Sequence, residues 1–119
     1  MPGKILIIDD DNRNIFALKA TLKAKGYECL SATSAQQGIA FLRETPGIGV
    51  VLLDMMMPDM DGYEALPAIR ATHNIPVVAV TAQAMKGDRE KCLEAGANDY
   101  VSKPIDVDRL ELILKKYLN

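Results

Sequence analysis

Histidine is nearly missing from this sequence. His73 is the only one, and no Gly-x-Ser-x-Gly context accompanies it. Ser-His-Asp chemistry therefore has no support, and His73 reads as an ordinary loop residue. Cysteine is almost as scarce: Cys29 and Cys92 stand far apart, in no Cys-x-x-Cys pair. Two buried free thiols in a reducing compartment are the expectation. No apolar run approaches the roughly 20 residues that a membrane helix needs. Positive charge is not in excess either. The net charge is −2, so there is no basic field to draw in nucleic acid or an anionic membrane, and neither is expected as a direct partner. Repeats, linkers and low-complexity stretches are lacking. Met1-Pro2-Gly3-Lys4 carries no signal-peptide core before the first strand-like run, and a cytoplasmic location is expected.

What is present suits one folded domain over residues 1–119. The 119 residues are 49% hydrophobic and 25% charged, enough to build a core without disulfides or a structural metal. Five apolar runs, Lys4–Ile8, Tyr27–Ala32, Val50–Leu53, Val77–Thr81 and Asp99–Ser102, alternate with five helical patterns. Such alternation means βαβ units around a parallel sheet. The first helix is expected from about Asn12 to Lys25, with Ile15, Leu18 and Leu22 on one face and Gly26 just beyond its end. The second opens on Ser34-Ala35-Gln36-Gln37, a capping-box pattern, and stops before Pro46-Gly47. The third follows Asp61-Gly62 to about Ala71. The fourth runs from about Ala84 to Ala95 and is closed by Gly96. The fifth starts near Asp106, with Leu110, Ile113, Leu114 and Tyr117 facing inward.

Strand character orders the sheet. Ile5-Leu6-Ile7-Ile8, Val50-Val51-Leu52-Leu53 and Val77-Val78-Ala79-Val80 are continuously apolar, as strands covered on both faces must be. The second and fifth runs are mixed and read as edges. This pattern fits an α/β, doubly wound, flavodoxin-like domain with strand order 2-1-3-4-5. Its ligand site is expected beyond the carboxyl ends of the first and third strands.

The strand ends carry chemistry. The first ends in Asp9-Asp10-Asp11, the third in Asp54, the fourth in Thr81 and the fifth in Ser102-Lys103-Pro104. Crowded carboxylates repel one another unless a cation joins them, and oxygen ligands select a hard ion such as Mg²⁺. A carboxylate is also a competent nucleophile toward phosphorus. The transition state needs positive charge around the phosphoryl oxygens. Lys103 and a metal ion supply it, and Thr81 offers a hydrogen bond. Asp11 or Asn12 is more simply a cap of the first helix, and Asp59 and Asp61 are turn-shaping residues before the third. Met55-Met56-Met57 reads as packing, with the backbone near Met56 facing the site.

Four spaced motifs then make a specific pattern: Ile7-Ile8-Asp9-Asp10-Asp11, Leu53 through Gly62 with Asp54 second, Val80-Thr81-Ala82, and Tyr100-Val101-Ser102-Lys103-Pro104. Over essentially its whole length the sequence resembles the receiver domain of two-component response regulators. The stretch Thr81 to Arg89 is similar to receivers joined to hybrid histidine kinases. The resemblance implies that Asp54 takes a phosphoryl group from the phosphohistidine of a histidine kinase or histidine phosphotransfer protein. It implies Mg²⁺ (or Mn²⁺) bound by Asp10, Asp54 and the Met56 carbonyl, with Asp9 close by or acting through water. Lys103 would pair with phosphoryl oxygens, and a cis Lys103-Pro104 bond would aim its ammonium inward. Thr81 and Tyr100 would form the switch pair, acting on the face of the fourth helix, fifth strand and fifth helix, through which a homodimer is a further expectation. Many receivers carry a polar residue where Met56 stands; this departure and Gln83 bear on phosphate lifetime.

Two other classes share parts of this pattern. A small aspartate-nucleophile phosphatase would use Asp9 and Asp11, but it needs a substrate-enclosing cap and leaves Asp54 without a role. A flavin-binding module would meet three aspartates where its phosphate loop belongs. A degenerate receiver that only binds partners is the structural alternative, against which stands the full reactive set. The reading is of a signalling domain that assists its own phosphorylation and dephosphorylation, not of an enzyme. The fourth helix, with Met85, Cys92 and Leu93 as its apolar anchors, is expected to be loosely held.

Overall fold

Three uninterrupted apolar strands fill the middle of the sheet. The computed structural model describes residues 3–58, 60–82 and 87–118. Strands β1 (Lys4–Ile8), β3 (Ile48–Asp54) and β4 (Val77–Thr81) lie between β2 (Cys29–Ala32) and β5 (Asp99–Ser102). All five are parallel, in the order β2-β1-β3-β4-β5. Helices α1 (Asn12–Ala24), α2 (Ala35–Glu44), α3 (Gly62–Thr72), α4 (Asp88–Glu94) and α5 (Val107–Leu118) alternate with them. This is the flavodoxin-like, doubly wound order expected.

Because side chains alternate along a strand, each central strand feeds two cores. Ile5, Ile7, Val50, Leu52, Val78 and Val80 pack with Ile15 and Leu22 of α1 and Leu110, Ile113 and Leu114 of α5. Leu6, Ile8, Val51, Leu53, Val77 and Ala79 pack on the other face with α2, α3 and Cys92 of α4. Among the described residues no helix is long and apolar enough to cross a membrane.

Helix ends follow their local chemistry. Asp11 caps α1 by accepting the Arg13 N–H at 2.9 Å. Gly26, at φ 94°, lets the chain turn out of it, with the Tyr27 N–H on the Leu22 carbonyl and the Gly26 N–H on the Lys23 carbonyl, the double bond of a Schellman close. Ser34 caps α2 through the Gln37 N–H, and the Gln37 side chain returns to the Thr33 N–H. Asp61 caps α3 through the Glu64 N–H.

Four boundaries differ from expectation. β2 begins at Cys29, not Tyr27, because the Tyr27 N–H is used to close α1. β3 extends in both directions, since Ile48 pairs with Lys4 and Asp54 with Val80. Helix α4 starts at Asp88 because Gly87, at φ 87°, is left-handed and cannot continue a right-handed helix. Gln83, Ala84, Met85 and Lys86, and likewise Asp59, lie outside the described residues. Cys92 is buried as expected, but Cys29 on the edge strand is only half-buried.

A polar network ties the amino end of the sheet. Arg70 donates to the carbonyls of Gly96 and Ile75 and to Oδ1 of Asn98. Asn98 Oδ1 accepts the Val77 N–H at 2.9 Å, and the Tyr117 hydroxyl donates to the Asn98 carbonyl at 3.1 Å. The bonded pairs are separated by up to 28 positions, so no local pattern marks them.

Candidate functional site

Parallel pairing of β1 with β3, in which Ile8 faces Leu53, brings the ends of both strands to one rim. One oxygen each of Asp9, Asp10 and Asp54 lies within 4.8 Å of the others. Asp9 and Asp54 are 7% and 4% exposed, whereas Asp10 opens to solvent. The run of three aspartates is divided by the turn from strand to helix. Asp9 points into the rim and accepts the Asp11 N–H at 2.9 Å, Asp10 faces outward beside it, and Asp11 is the cap of α1. The phosphatase reading needs Asp9 and Asp11 together, but the Asp11 carboxylate is engaged at the helix start.

Lys103 enters from the far side. Its N–H donates to the Thr81 carbonyl at 2.8 Å, which anchors the backbone to the end of β4, and the Lys103-Pro104 bond is cis. The ammonium Nζ lies 3.5 Å from Oδ2 of Asp9 and 3.5 Å from Oδ2 of Asp54. The other Asp54 oxygen, Oδ1, accepts the Met56 N–H at 3.0 Å. The Asp54 carboxylate is thus held at both oxygens, with one side toward Lys103. Met55 and Met57 are buried, while the Met56 side chain is 49% exposed; only its backbone serves the rim. Thr81 ends β4 on the adjoining position and is buried.

The electrostatics agree with crowding. The Asp9 carboxyl is raised above its ordinary value chiefly by burial, and repulsion from Asp54 adds to this. The Asp11 N–H and the Lys103 ammonium oppose the shift. Three carboxylates against one ammonium leave uncompensated negative charge. A donor set made only of oxygens, one member open to solvent, fits a hard divalent cation.

Asp9, Asp10, Asp54 and Lys103 are therefore brought together, with Thr81 beside them. Tyr100 stands on β5, half-buried, and its hydroxyl lies 3.5 Å from Oδ2 of Asp88 on α4. Gln83 falls outside the described residues. Sequence reasoning gave Asp88 no role. It sits among Arg89, Glu90 and Lys91, and nothing in that charged run marks it as the buried member.

Fold and rim together define a receiver domain. The family model described as the response regulator receiver domain matches residues 5–115, and the chain belongs to that family. It is the receiver domain of a two-component or phosphorelay system. Curated relatives include a hybrid signal transduction histidine kinase of Dictyostelium discoideum, 38% identical over 89% of this chain and 7% of that protein. The transcriptional regulatory protein CpxR of Escherichia coli is 38% identical over 96% of this chain and 50% of the regulator. The chain thus spans half or less of these relatives. Among solved structures, the receiver domain of a Pseudomonas aeruginosa sensor histidine kinase is 35% identical with a TM-score of 0.86, covering 99% of this chain and 98% of that one. That structure holds a magnesium ion in its active-site cleft. A Francisella response regulator receiver domain is 26% identical with a TM-score of 0.89, over 98% and 96% of the two chains.

Proposed function

We propose that Asp54 accepts a phosphoryl group from a phosphohistidine on a histidine kinase or histidine phosphotransfer partner. An Asp54 carboxylate oxygen attacks phosphorus and the P–N bond breaks. The histidine nitrogen keeps the electron pair, and an acyl phosphate remains on Asp54. The observation that carries this reading is the meeting of three carboxylates with Lys103, whose ammonium lies 3.5 Å from Asp54 Oδ2. The family and the hybrid-kinase relatives support it.

Asp9, Asp10, Asp54 and the Met56 carbonyl would hold Mg²⁺ or Mn²⁺. When bound, the ion supplies positive charge toward the phosphoryl oxygens. The magnesium in the Pseudomonas receiver supports that assignment. Lys103 exchanges its carboxylate partners for a phosphoryl oxygen, and the Thr81 hydroxyl donates to another. The new charge and acceptors draw on Thr81 and Tyr100 and reshape the face of α4, β5 and α5, where a homodimer would form. Met56, two places after Asp54, and Gln83 set how long the phosphate lasts.

Acetyl phosphate with Mg²⁺, followed by peptide mapping, tests the reading. Label on Asp54 alone, abolished by Asp54→Asn, is expected. Label on Asp9 or Asp11 would instead favour a phosphatase, and absence of label a binding-only receiver.

A further inference from the structure

A buried carboxylate remains that the proposed chemistry does not use. Asp88 opens α4 and is 9% exposed. A carboxylate out of water needs donors, and Asp88 meets a tyrosine hydroxyl from another element. The Tyr100 hydroxyl of β5 lies 3.5 Å from its Oδ2. The Tyr63 hydroxyl of α3 sits 3.6 Å from Cys92 Sγ, one turn further along α4. Lys91 Nζ stands 4.5 Å from the centre of the Tyr63 ring. Tyr63 is therefore held against α4 by Lys91 and Cys92, which follow Asp88 by three and four positions and share its side of the helix. Both hydroxyls are shifted upward, first by burial, with Asp88 adding to each.

The same tyrosine is tied to the acidic rim. Its neighbour Gly62 donates its N–H to the Met55 carbonyl at 3.2 Å, and a Cβ on Gly62 would come within 2.7 Å of Met55 Cα. Met55 follows Asp54 directly. A chain of close contacts therefore runs from Asp54 through Met55 and Gly62 to Tyr63, and from there by Lys91 and Cys92 to α4, whose first residue Asp88 meets Tyr100.

We propose that Asp88 is a positioning residue of the switch, which holds Tyr100 and the start of α4 in the resting arrangement and joins them through Tyr63 to the loop after Asp54. This rests on the reading of Asp54 as phosphoryl acceptor, and it adds a route beside that of Thr81. When the loop after Asp54 moves, Tyr63 draws α4 with it, and the Asp88 carboxylate releases Tyr100. The polar contact suits such a device because a directional bond has two discrete states, made or broken.

The test compares wild type, Asp88→Ala, Asp88→Asn and Tyr63→Phe, without phosphoryl donor or metal. The Tyr100 ring resonances are followed by NMR, and amide exchange is followed over residues 88–94. Beryllofluoride-treated wild type supplies the switched reference. In Asp88→Ala the Tyr100 signals should lie part-way toward that reference, and exchange in 88–94 should quicken about tenfold. Tyr63→Phe should move them the same way by less, and Asp88→Asn, which keeps an acceptor, should restore part of the resting position. A merely structural Asp88 would loosen α4 without moving Tyr100 along that line. Resting Tyr100 signals in Asp88→Ala overturn the proposal. Should that variant not fold, resting signals in both Asp88→Asn and Tyr63→Phe overturn it equally. Acetyl-phosphate label missing from wild-type Asp54 would instead overturn the functional reading, a result that these measurements on resting protein keep separate.

Discussion

Helices α4 and α5 pack into opposite cores of one sheet and are held by different means. Over 12 residues α5 buries Leu110, Ile113 and Leu114. Over seven residues α4 buries one apolar side chain, Cys92, with Leu93 half-buried, and otherwise relies on the Asp88 carboxylate. The first attachment is broad and graded; the second consists of a few directional contacts. A signalling face that must change shape can use the second kind, anchored beside the first.

The sharpest way to break this contrast is by truncation. Leu114→Ala should cost about 3 kcal/mol, since it removes a fully buried side chain, and Cys92→Ala about 1 kcal/mol. Urea midpoints at constant slope give both values, and equal losses would erase the distinction. Hydrogen exchange should separate the helices next. Amides of residues 88–94 should exchange on the order of 100-fold faster than those at the centre of α5. Beryllofluoride should alter residues 87–102 and the loops around Asp10 and Asp54 while leaving the α5 centre alone. Changes confined to those two loops would argue against any coupling to α4.

The rim allows smaller effects to be read. Asp10→Asn and Asp54→Asn should each weaken Mg²⁺ binding about tenfold or more in a direct titration. Unchanged affinity in both would remove the metal assignment. Without Mg²⁺, relief of crowding should make Asp10→Asn more stable by about 1 kcal/mol or less. Asp54→Asn should gain less, because its carboxylate also faces Lys103. The smallest effect concerns pH. The Asp9 carboxyl is raised in the fold by burial, so the folded state binds its proton more tightly than the unfolded chain. Its contribution is present at low pH and is lost as pH rises from the ordinary carboxylate range through the raised value. Asp9→Asn should flatten that part of the metal-free stability profile.

Much of this was legible from the chain alone where local pattern and global position coincide. The runs of β1, β4 and β5 end where expected, because the polar residues at or just past their ends belong to the rim. Asp9, Asp10, Asp54 and Lys103 could be joined because a parallel doubly wound sheet delivers its strand ends to one place. The start of α4 was misjudged because a glycine inside a helical pattern does not reveal its left-handed torsion. Arg70 with Asn98, and Tyr100 with Asp88, are invisible for another reason. Each pairs residues on elements that only the folded sheet brings together, and neither side chain differs in kind from its exposed neighbours.

The Asp9-Asp10-Asp11 run carries a consequence for how this stretch tolerates change. Three identical residues hold three different posts, so a substitution at any one leaves the other two in place. Deleting one is a different kind of event. The composition of the run barely alters, yet every later residue slips one place toward the strand, and α1 would turn by about 100° relative to the sheet. Ile15 and Leu22 would swing off the core they fill. Insertions and deletions here act as phase errors, and the stretch should accept new letters far more readily than a new length.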